Sequence, residues 1–360
     1  MNIVKLSDVA SFLSGFAFKS KCFNTNGRGM PLVRIRDVVR GKSDTYFDGD
    51  YDDRYVVNDG DYLIGMDGQF NLARWNGGRA LLNQRVCKIE DLSPETDRDY
   101  LARFLPKALK DIEDATPFVT VKHLSVKQLR DIDFPLPPLA EQKRIAGILD
   151  AADALRAKRR ESIDQLDRLI QSTFLEMFGD PKEAISGSSV RKGFKICKLG
   201  DQITLQRGID ITKSVAIPGS VPVISSGGVS FYHNEHYAKG PGVLLGRKGS
   251  VGKVHIVYDD YWPHDTTLFV KTFNDNDPVF VYYFFLNFPI SDYEASAANP
   301  SLNRNNLHPL RVLWPTKQLQ GDFRMIQMTA MKQIDLANIQ LSELDTLFAS
   351  LQSQAFSGAL

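Results

Sequence analysis

The chain has 360 residues, with 44 basic and 43 acidic side chains, a net charge of +1, 43% hydrophobic and 24% charged residues. That is the balance of a folded protein with two or three cores; it excludes a disordered polyelectrolyte and a polycation that coats DNA along its whole length. No apolar run reaches the ~18 residues of a membrane span. If nucleic acid is the partner, local basic faces must hold it. "MNIVKLSDVASF" lacks a signal-peptide layout, and Cys22, Cys87 and Cys197 form neither a disulfide framework nor a Cys-x-x-Cys metal site. A reducing, cytoplasmic setting is therefore expected.

In chain order, "KSKCF" (19–23) and "NGRG" (26–29) put Lys19, Lys21 and Arg28 on loops, suited to phosphate contacts. "LVRIRDV" reads as a strand with Arg34 and Arg36 on one face. The segment 44–61 carries seven aspartates, but a calcium loop counted from Asp48 needs Gly and Glu where Asp53 and Asp59 stand. A solvated acidic loop facing away from phosphate is expected. After the strand "GDYLIG", "MDGQFNLARW" (66–75) offers Gln69 and Asn71 for adenine and Arg74 for guanine or phosphate, with Trp75 as a hairpin or core anchor. "LLNQRVCKI" reads as a strand carrying Gln84 and Arg85; a helix follows near 98–110, then "VKH" (121–123) with Lys122 and His123.

At "PLPPLAEQKRI" (135–145) a proline-dense stop runs into a helix. Apolar residues recur at Ile145, Ile148, Ala152, Leu155, Leu166, Leu169 and Phe174, with Arg159 interrupting the stripe, and "GDP" (179–181) ends it. At ~1.5 Å per residue, about 38 residues make a rod of roughly 57 Å. A rod with an apolar edge needs a partner.

The second half repeats these signals. "RGIDITK" (207–213) carries Arg207 and Lys213, and "VPVIS" ends in Ser225 and Ser226. "GVLLG", "GKVHIVY" and "TTLFVKTF" are further strands. "GRKGSVGK" (246–253) places Arg247, Lys248, Ser250 and Lys253 where Gly249 and Gly252 let backbone approach a duplex, and lacks the order of a nucleotide phosphate loop. His233, His236, His255 and His264 form no recognisable ligand set, and no metal site is expected. A helix near 278–288 precedes Asn303, Arg304 and Asn305, and a second long stripe follows: Phe323, Ile326, Ala330, Ile334, Ala337, Leu341, Leu344, Phe348 and Leu351.

An offset of 178 places Leu129 on Leu307, Pro137 on Pro315, Gln142 on Gln320, Leu166 on Leu344 and Asp167 on Asp345. "LIGMDG" parallels "LLGRKG", "HLSVKQL" parallels "SLNRNNL", and "NQR" (83–85) parallels "DTT" (265–267). The expected fold is α+β: two mainly-β domains, 1–138 and 180–316, and two long helices, 139–179 and 317–360, paired as an antiparallel coiled coil about a pseudo-twofold axis.

With "PLPPLAEQKRIAGILDAAD" (135–153), "LDRLIQSTFLEMFGDP" (166–181), "LLGRKGSVGKVHIV" (244–257) and the closing "AFSGAL", the chain resembles the specificity subunit of a type I restriction–modification system. The first domain departs from the glycine pattern, with "LIGMDGQFNLARWNGG", and the second helix carries "TKQLQGDF" in place of "PLAEQKRI". The resemblance implies a non-catalytic subunit in which two unlike domains read a bipartite, non-palindromic site on double-stranded DNA, with the helices as spacer. It also implies two modification (methyltransferase) subunits and motor-nuclease restriction subunits as partners, with S-adenosylmethionine, ATP and Mg²⁺ bound by those partners and no cofactor in this chain.

Two other classes remain open on the residues alone. A stand-alone adenine methyltransferase needs an Asn/Asp/Ser-Pro-Pro-aromatic element, whereas Pro137–Pro138 is followed by Leu139. A nuclease would draw on Asp133, Glu141 and Lys143, which the prolines split. The other alternative is a DNA-independent coiled-coil scaffold.

Overall fold

A computed structural model describes residues 2–116, 122–181, 192–293 and 301–360, and the internal repeat reappears in it as a repeated strand order. The chain divides into two units, Met1–Arg159 with Gln340–Leu360, and Arg160–Ile339. In the first unit Asn2–Lys5 pairs antiparallel with Asp133–Leu136, and a four-stranded sheet runs Ala10–Ser14, Val86–Leu92, Tyr62–Gly65, Leu72–Arg74. In the second unit Phe194–Lys198 pairs with Arg311–Pro315, and the corresponding sheet runs Thr204–Arg207, Thr267–Thr272, Gly242–Gly246, Val254–Val257. The units differ in their remaining sheet, which has five strands in the first and three in the second.

A domain helix packs on each four-stranded sheet: Arg98–Ala115 starts at Asp97, whose carboxylate accepts from the Asp99 and Tyr100 amides, and Pro278–Asn287 starts at Asp277, bonded to Val279 and Phe280 in the same way. An N-cap carboxylate answers amides that a helix start leaves unpaired. These helices are part of each core, with Tyr100, Leu101 and Leu105 beside Phe134, and Phe280, Phe284 and Phe285 beside Trp314.

Two strand expectations need correction. "LVRIRDV" leaves the sheet at Val33; Arg34 caps a helix, Ile35–Arg40, and Arg36 lies inside it, so the two do not share a strand face. The buried Asp37 explains the switch: its carboxylate accepts from the Arg34 amide at 3.0 Å and anchors the first turn. "LLNQRVCKI" is two strands, Ala80–Leu82 and Val86–Leu92, broken at Asn83–Arg85. The aspartates of 44–61 are also more than a solvated loop, since Asp52 caps the turn Asp53–Tyr55, Asp53 pairs with Arg79 at 2.8 Å and Asp59 accepts from the Gly78 amide at 2.7 Å.

The long helices are Leu139–Phe178 and Lys317–Ser357, so the sequence offset carries one start onto the other. In the first unit the start of the former packs with the end of the latter, Ile145 and Leu149 sharing a core with Phe348, Leu351 and Ala355. In the second unit Ile170, Phe174 and Phe178 share a core with Phe323, Ala330 and Ile334. Within each unit the two helical stretches thus run antiparallel. The buried and half-buried positions alternate by three and four, through 142, 145, 149, 152, 156, 159, 163, 166 and 170 on one helix and 320, 323, 327, 330, 334, 337, 341, 344 and 348 on the other.

Four residues assigned to the stripe leave it. Ile148 is half-buried beside the seam, where the buried Leu149 stands; Leu155, Leu169 and Ile326 are 54%, 52% and 42% exposed, and Arg156, Ile170 and Gln327 take their places. An alternation of three and four permits either neighbour after Ala152, and apolar character favoured Leu155. The seam runs instead through a guanidinium that is paired: Arg156 Nε meets Asp345 at 2.6 Å, Nη1 meets Asp153 at 2.9 Å, and the group lies 4.4 Å over the Phe348 ring. Arg103 adds bonds to Asp150 at 2.6 Å and Asp153 at 2.8 Å. Burial works against ionising Asp153, but Arg103 and Arg156 prevail and hold its carboxyl below the usual carboxylate range.

One buried amide fastens each long helix to its unit. Gln142, 0% exposed, accepts from the Asp97 amide at 2.8 Å and donates to the Glu95 and Pro137 carbonyls at 2.7 and 2.8 Å. Gln320, 1% exposed, accepts from the Asp277 amide at 2.8 Å and donates to Asn276 Oδ1 and the Pro315 carbonyl at 2.9 and 3.3 Å. Gln142→Leu and Gln320→Leu are each expected to cost on the order of 3 kcal/mol, because each strands several buried partners. Urea denaturation checks this, and a loss under ~1 kcal/mol in both would contradict it.

Cys87 is fully buried, and burial followed by Glu90 pushes its thiol up from 9.0 to about 12. It is expected to resist alkylation in the native protein at pH 8 and to react once urea unfolds the chain, as mass spectrometry of timed samples would show. Since the folded state keeps this proton longer, the thiol's contribution is intact below pH 9.0 and declines as pH rises from there toward about 12.

Candidate nucleic-acid interface

In the second unit the polypeptide reverses between Gly242–Gly246 and Val254–Val257, and glycine is required at the bend: a Cβ on Gly246 would lie 2.0 Å from the Ser250 carbonyl oxygen, and Gly249 and Gly252 have φ of +78° and +77°. Arg247 and Lys248 bond through their amides to the Thr266 carbonyl at 2.8 and 3.1 Å, fixing the hairpin base, while Lys248, Ser250 and Lys253 are exposed. Arg207, ending its strand, pairs with Asp265 at 2.8 Å, and Arg247 Nη1 donates to the Asp265 carbonyl at 3.2 Å. Asn303 caps a short helix, Arg304–Leu307, by accepting from the Asn305 amide at 3.0 Å. These residues line one cleft of about 580 Å³, in which Arg207, Arg247, Asn303, Arg304 and Asn305 meet Gln206 and Ser301. The cleft unites sequence candidates that lie far apart along the chain. Gln206 and Ser301 were missed because single polar residues carry no motif.

Other candidates fall elsewhere. Lys213 is exposed on the loop after Ile211. Ser225 bonds the Gly228 carbonyl at 3.0 Å, and Ser226 is buried, its amide on Thr266 Oγ1 and its carbonyl on His255 Nε2, so both shape the turn. The four histidines form no ligand set with one another by sequence, but the His264 ring stands with Asp210 and Asp265, their ligand atoms all within 4.8 Å of one another. Both ring nitrogens already have protein partners, Thr266 Oγ1 at 3.0 Å and the Ile211 carbonyl at 3.2 Å.

In the first unit, Asp67 gathers two candidates, Arg85 at 3.2 Å and His123 at 2.6 Å. Gln69 and Gln84 are exposed, Asn71 donates to the Gln69 carbonyl at 3.3 Å, and Arg74 ends the edge strand, exposed. Trp75 is fully buried with its indole N–H on the Gly78 carbonyl at 2.6 Å, a core anchor as read from sequence. Lys122 donates to the Glu113 carbonyl at the end of Arg98–Ala115, and its charge serves that helix end. Lys19, Lys21, Arg28, Arg34 and Arg36 are exposed; Arg28 is 3.8 Å from Asp48, and Arg36 donates to Thr45 at 3.3 Å. Val121 of "VKH" and Asn299–Pro300 of "NPSLNRNN" lie outside the described residues.

Residues 1–166 match the family model described as type I restriction modification DNA specificity domain. This part of the chain is similar to such a domain. The type I restriction enzyme EcoBI specificity subunit of Escherichia coli is 43% identical to the chain over 168 residues, 47% of this chain and 35% of that protein. The MjaVIII specificity subunit of Methanocaldococcus jannaschii is 27% identical over 146 residues, 41% of this chain and 33% of that protein. The match thus spans about a third of the length of these relatives. The fold likeness reaches beyond the specificity domain. A type I restriction–modification S subunit from M. genitalium covers 99% of this chain and 96% of its own at TM-score 0.57 and 14% identity. A chain from a structure addressing complex assembly and conformational transition of the type I R-M system covers 100% and 98% at TM-score 0.63 and 15% identity. The chain has the fold of those proteins. Among the described residues, no helix is long and apolar enough to cross a membrane.

Asp67 neutralises Arg85, a cation that an anionic partner would otherwise meet. Asp67→Asn is expected to tighten binding to random duplex and to steepen its salt dependence by ~0.9 in log K against log salt as Arg85 is released. Anisotropy titrations over a salt series measure it; an unchanged slope would remove Arg85 from the candidate interface.

Proposed function

We propose that this chain is the DNA specificity subunit of a type I restriction–modification complex, reading a bipartite, non-palindromic target, one part through each unit. The observation that carries the reading is the repetition of one strand order with different side chains at its loops. A repeated backbone frame presents loops to DNA in the same way twice, while unlike residues give each unit its own base preference. For the domain boundaries we take 1–138 and 180–316 as the recognition domains and 139–179 and 317–360 as the spacer helices, the spacer setting the interval between the two parts of the target. Half-sites about one turn apart, ~34–36 Å, suit a twofold-related pair of readers.

The DNA contacts in this reading come from the cleft of the second unit, the Gly246–Lys253 hairpin, and the exposed Gln69, Arg74, Lys19, Lys21 and Arg28 of the first. The chain performs no chemistry itself. Two modification subunits and the restriction subunits associate with it and bind S-adenosylmethionine, ATP and Mg²⁺. The relatives named as specificity subunits support the non-catalytic role.

Exchanging residues 1–134 for the corresponding segment of another specificity subunit is expected to change one part of the methylated target and leave the other intact. Methylome sequencing of a host carrying the complete system reads the outcome. Change in both parts would show that the units do not read independently, and the lack of any salt-dependent binding to random duplex would favour a DNA-independent scaffold.

A further inference from the structure

Backbone geometry aligns the two units position by position. The Leu124 amide donates to the Met66 carbonyl at 2.8 Å, and the Leu302 amide to the Arg247 carbonyl at 3.0 Å. Parallel bridges join Phe16 to Asn83 and Ile209 to His264. Gly15 and Gly208, one residue before Phe16 and Ile209, each press against that partner: an added Cβ would lie 2.2 Å from the Asn83 carbonyl oxygen and 2.1 Å from that of His264. Ser125 and Asn303 each cap the short helix that follows. The bridges also correct the sequence parallel by one residue, since Asn83 corresponds to His264 and not to Asp265.

On this alignment Arg207, Arg247 and Arg304 stand where the first unit has Ser14, Met66 and Val126. All three arginines line the same cleft and come from separate elements: a strand end, a hairpin base and a helix start. Asp265 compensates only part of this charge, pairing with Arg207 and offering Arg247 its carbonyl. Burial and then the Arg207 cation make Arg247 hold its proton less firmly than an ordinary guanidinium, as expected of like charges brought together short of anions. At the matching place in the first unit, Asp67 adds a carboxylate.

We propose that this cleft seats a backbone phosphate of duplex DNA, and that the corresponding place in the first unit does not, so that the chain's charge-driven grip on DNA is concentrated in its second unit. The inference rests on the DNA-reading role proposed above and adds where the anion sits. Converging guanidiniums suit a tetrahedral anion that accepts on several oxygens. A guanine edge is better met by one extended arginine, whereas Arg207 and Arg247 are both tied back to Asp265.

The test is anisotropy of the full chain on random duplexes of differing guanine content across a salt series. Arg207→Gln and Arg304→Gln are each expected to weaken binding to every duplex alike and to reduce the salt slope by about 0.9. Ser14→Ala is expected to leave both unchanged. Melting curves establish that the variants are folded, and Arg247 is left intact because it also braces the Asp265 turn. Binding by the arginine variants with the wild-type slope would overturn the inference while leaving the DNA-reading role in place. A loss confined to guanine-rich duplexes would replace phosphate with base readout, and an equal loss in Ser14→Ala would remove the asymmetry. If wild-type chain shows no salt-dependent binding to any duplex, the DNA-reading role itself fails.

Discussion

A buried amide that meets all its partners is nearly neutral, while one that strands them costs ~1–3 kcal/mol per orphaned group. Gln142 and Gln320 stand at this point of sensitivity, each on the first turn of a long helix. Each binds the loop that opens the domain helix and the carbonyl that ends the preceding strand. The start of each long helix is thereby tied to its own unit. Repacking the seam cannot replace this bond, because an apolar side chain offers nothing to the Asp97 or Asp277 amide.

The seam is built differently in the two units. In the second, Phe174 meets Phe178, Phe280 and Phe323 with ring centroids 4.9, 5.9 and 5.3 Å away, a dense aromatic contact that draws its stability from burial. In the first, the corresponding contact runs through Arg156, Asp345 and Phe348. A half-buried ion pair adds little net stability, yet it tolerates few alternative alignments, since a shift of register separates the charges. The Asp at position 345 has a sequence counterpart in Asp167, whereas the counterpart of Arg156 is Ile334. The repeat therefore shares its heptads and this carboxylate, but not the arginine that pairs with it.

The same division holds at the candidate interface. The strand order, the close approaches at Gly15 and Gly208, and the bonds from Leu124 and Leu302 are common to both units, because they belong to the backbone frame. The side chains on that frame are unlike: a guanidinium-lined cleft in one unit, and a carboxylate that gathers Arg85 and His123 in the other.

Much of the architecture was legible in the chain itself. The proline stop, the recurring Gln142 and Gln320, and apolar spacing over some forty residues of each helix (Leu139–Phe178 and Lys317–Ser357) are local or periodic signals, and they determined the duplication, the helix starts and the α+β class. Tertiary structure decided which side of the helix met its partner at Arg156 and Gln327, since a paired guanidinium or a buried amide reads as solvent-facing until the facing helix is in view. It turned Arg34 and Arg36 out of a strand, because the buried carboxylate of Asp37 starts a helix there. It also brought Arg207, Arg247 and Arg304 to one cleft and bound Lys122 to a helix end. Charge alone could not distinguish these, because whether a cation is available to an outside anion depends on which carboxylate or carbonyl the fold sets beside it.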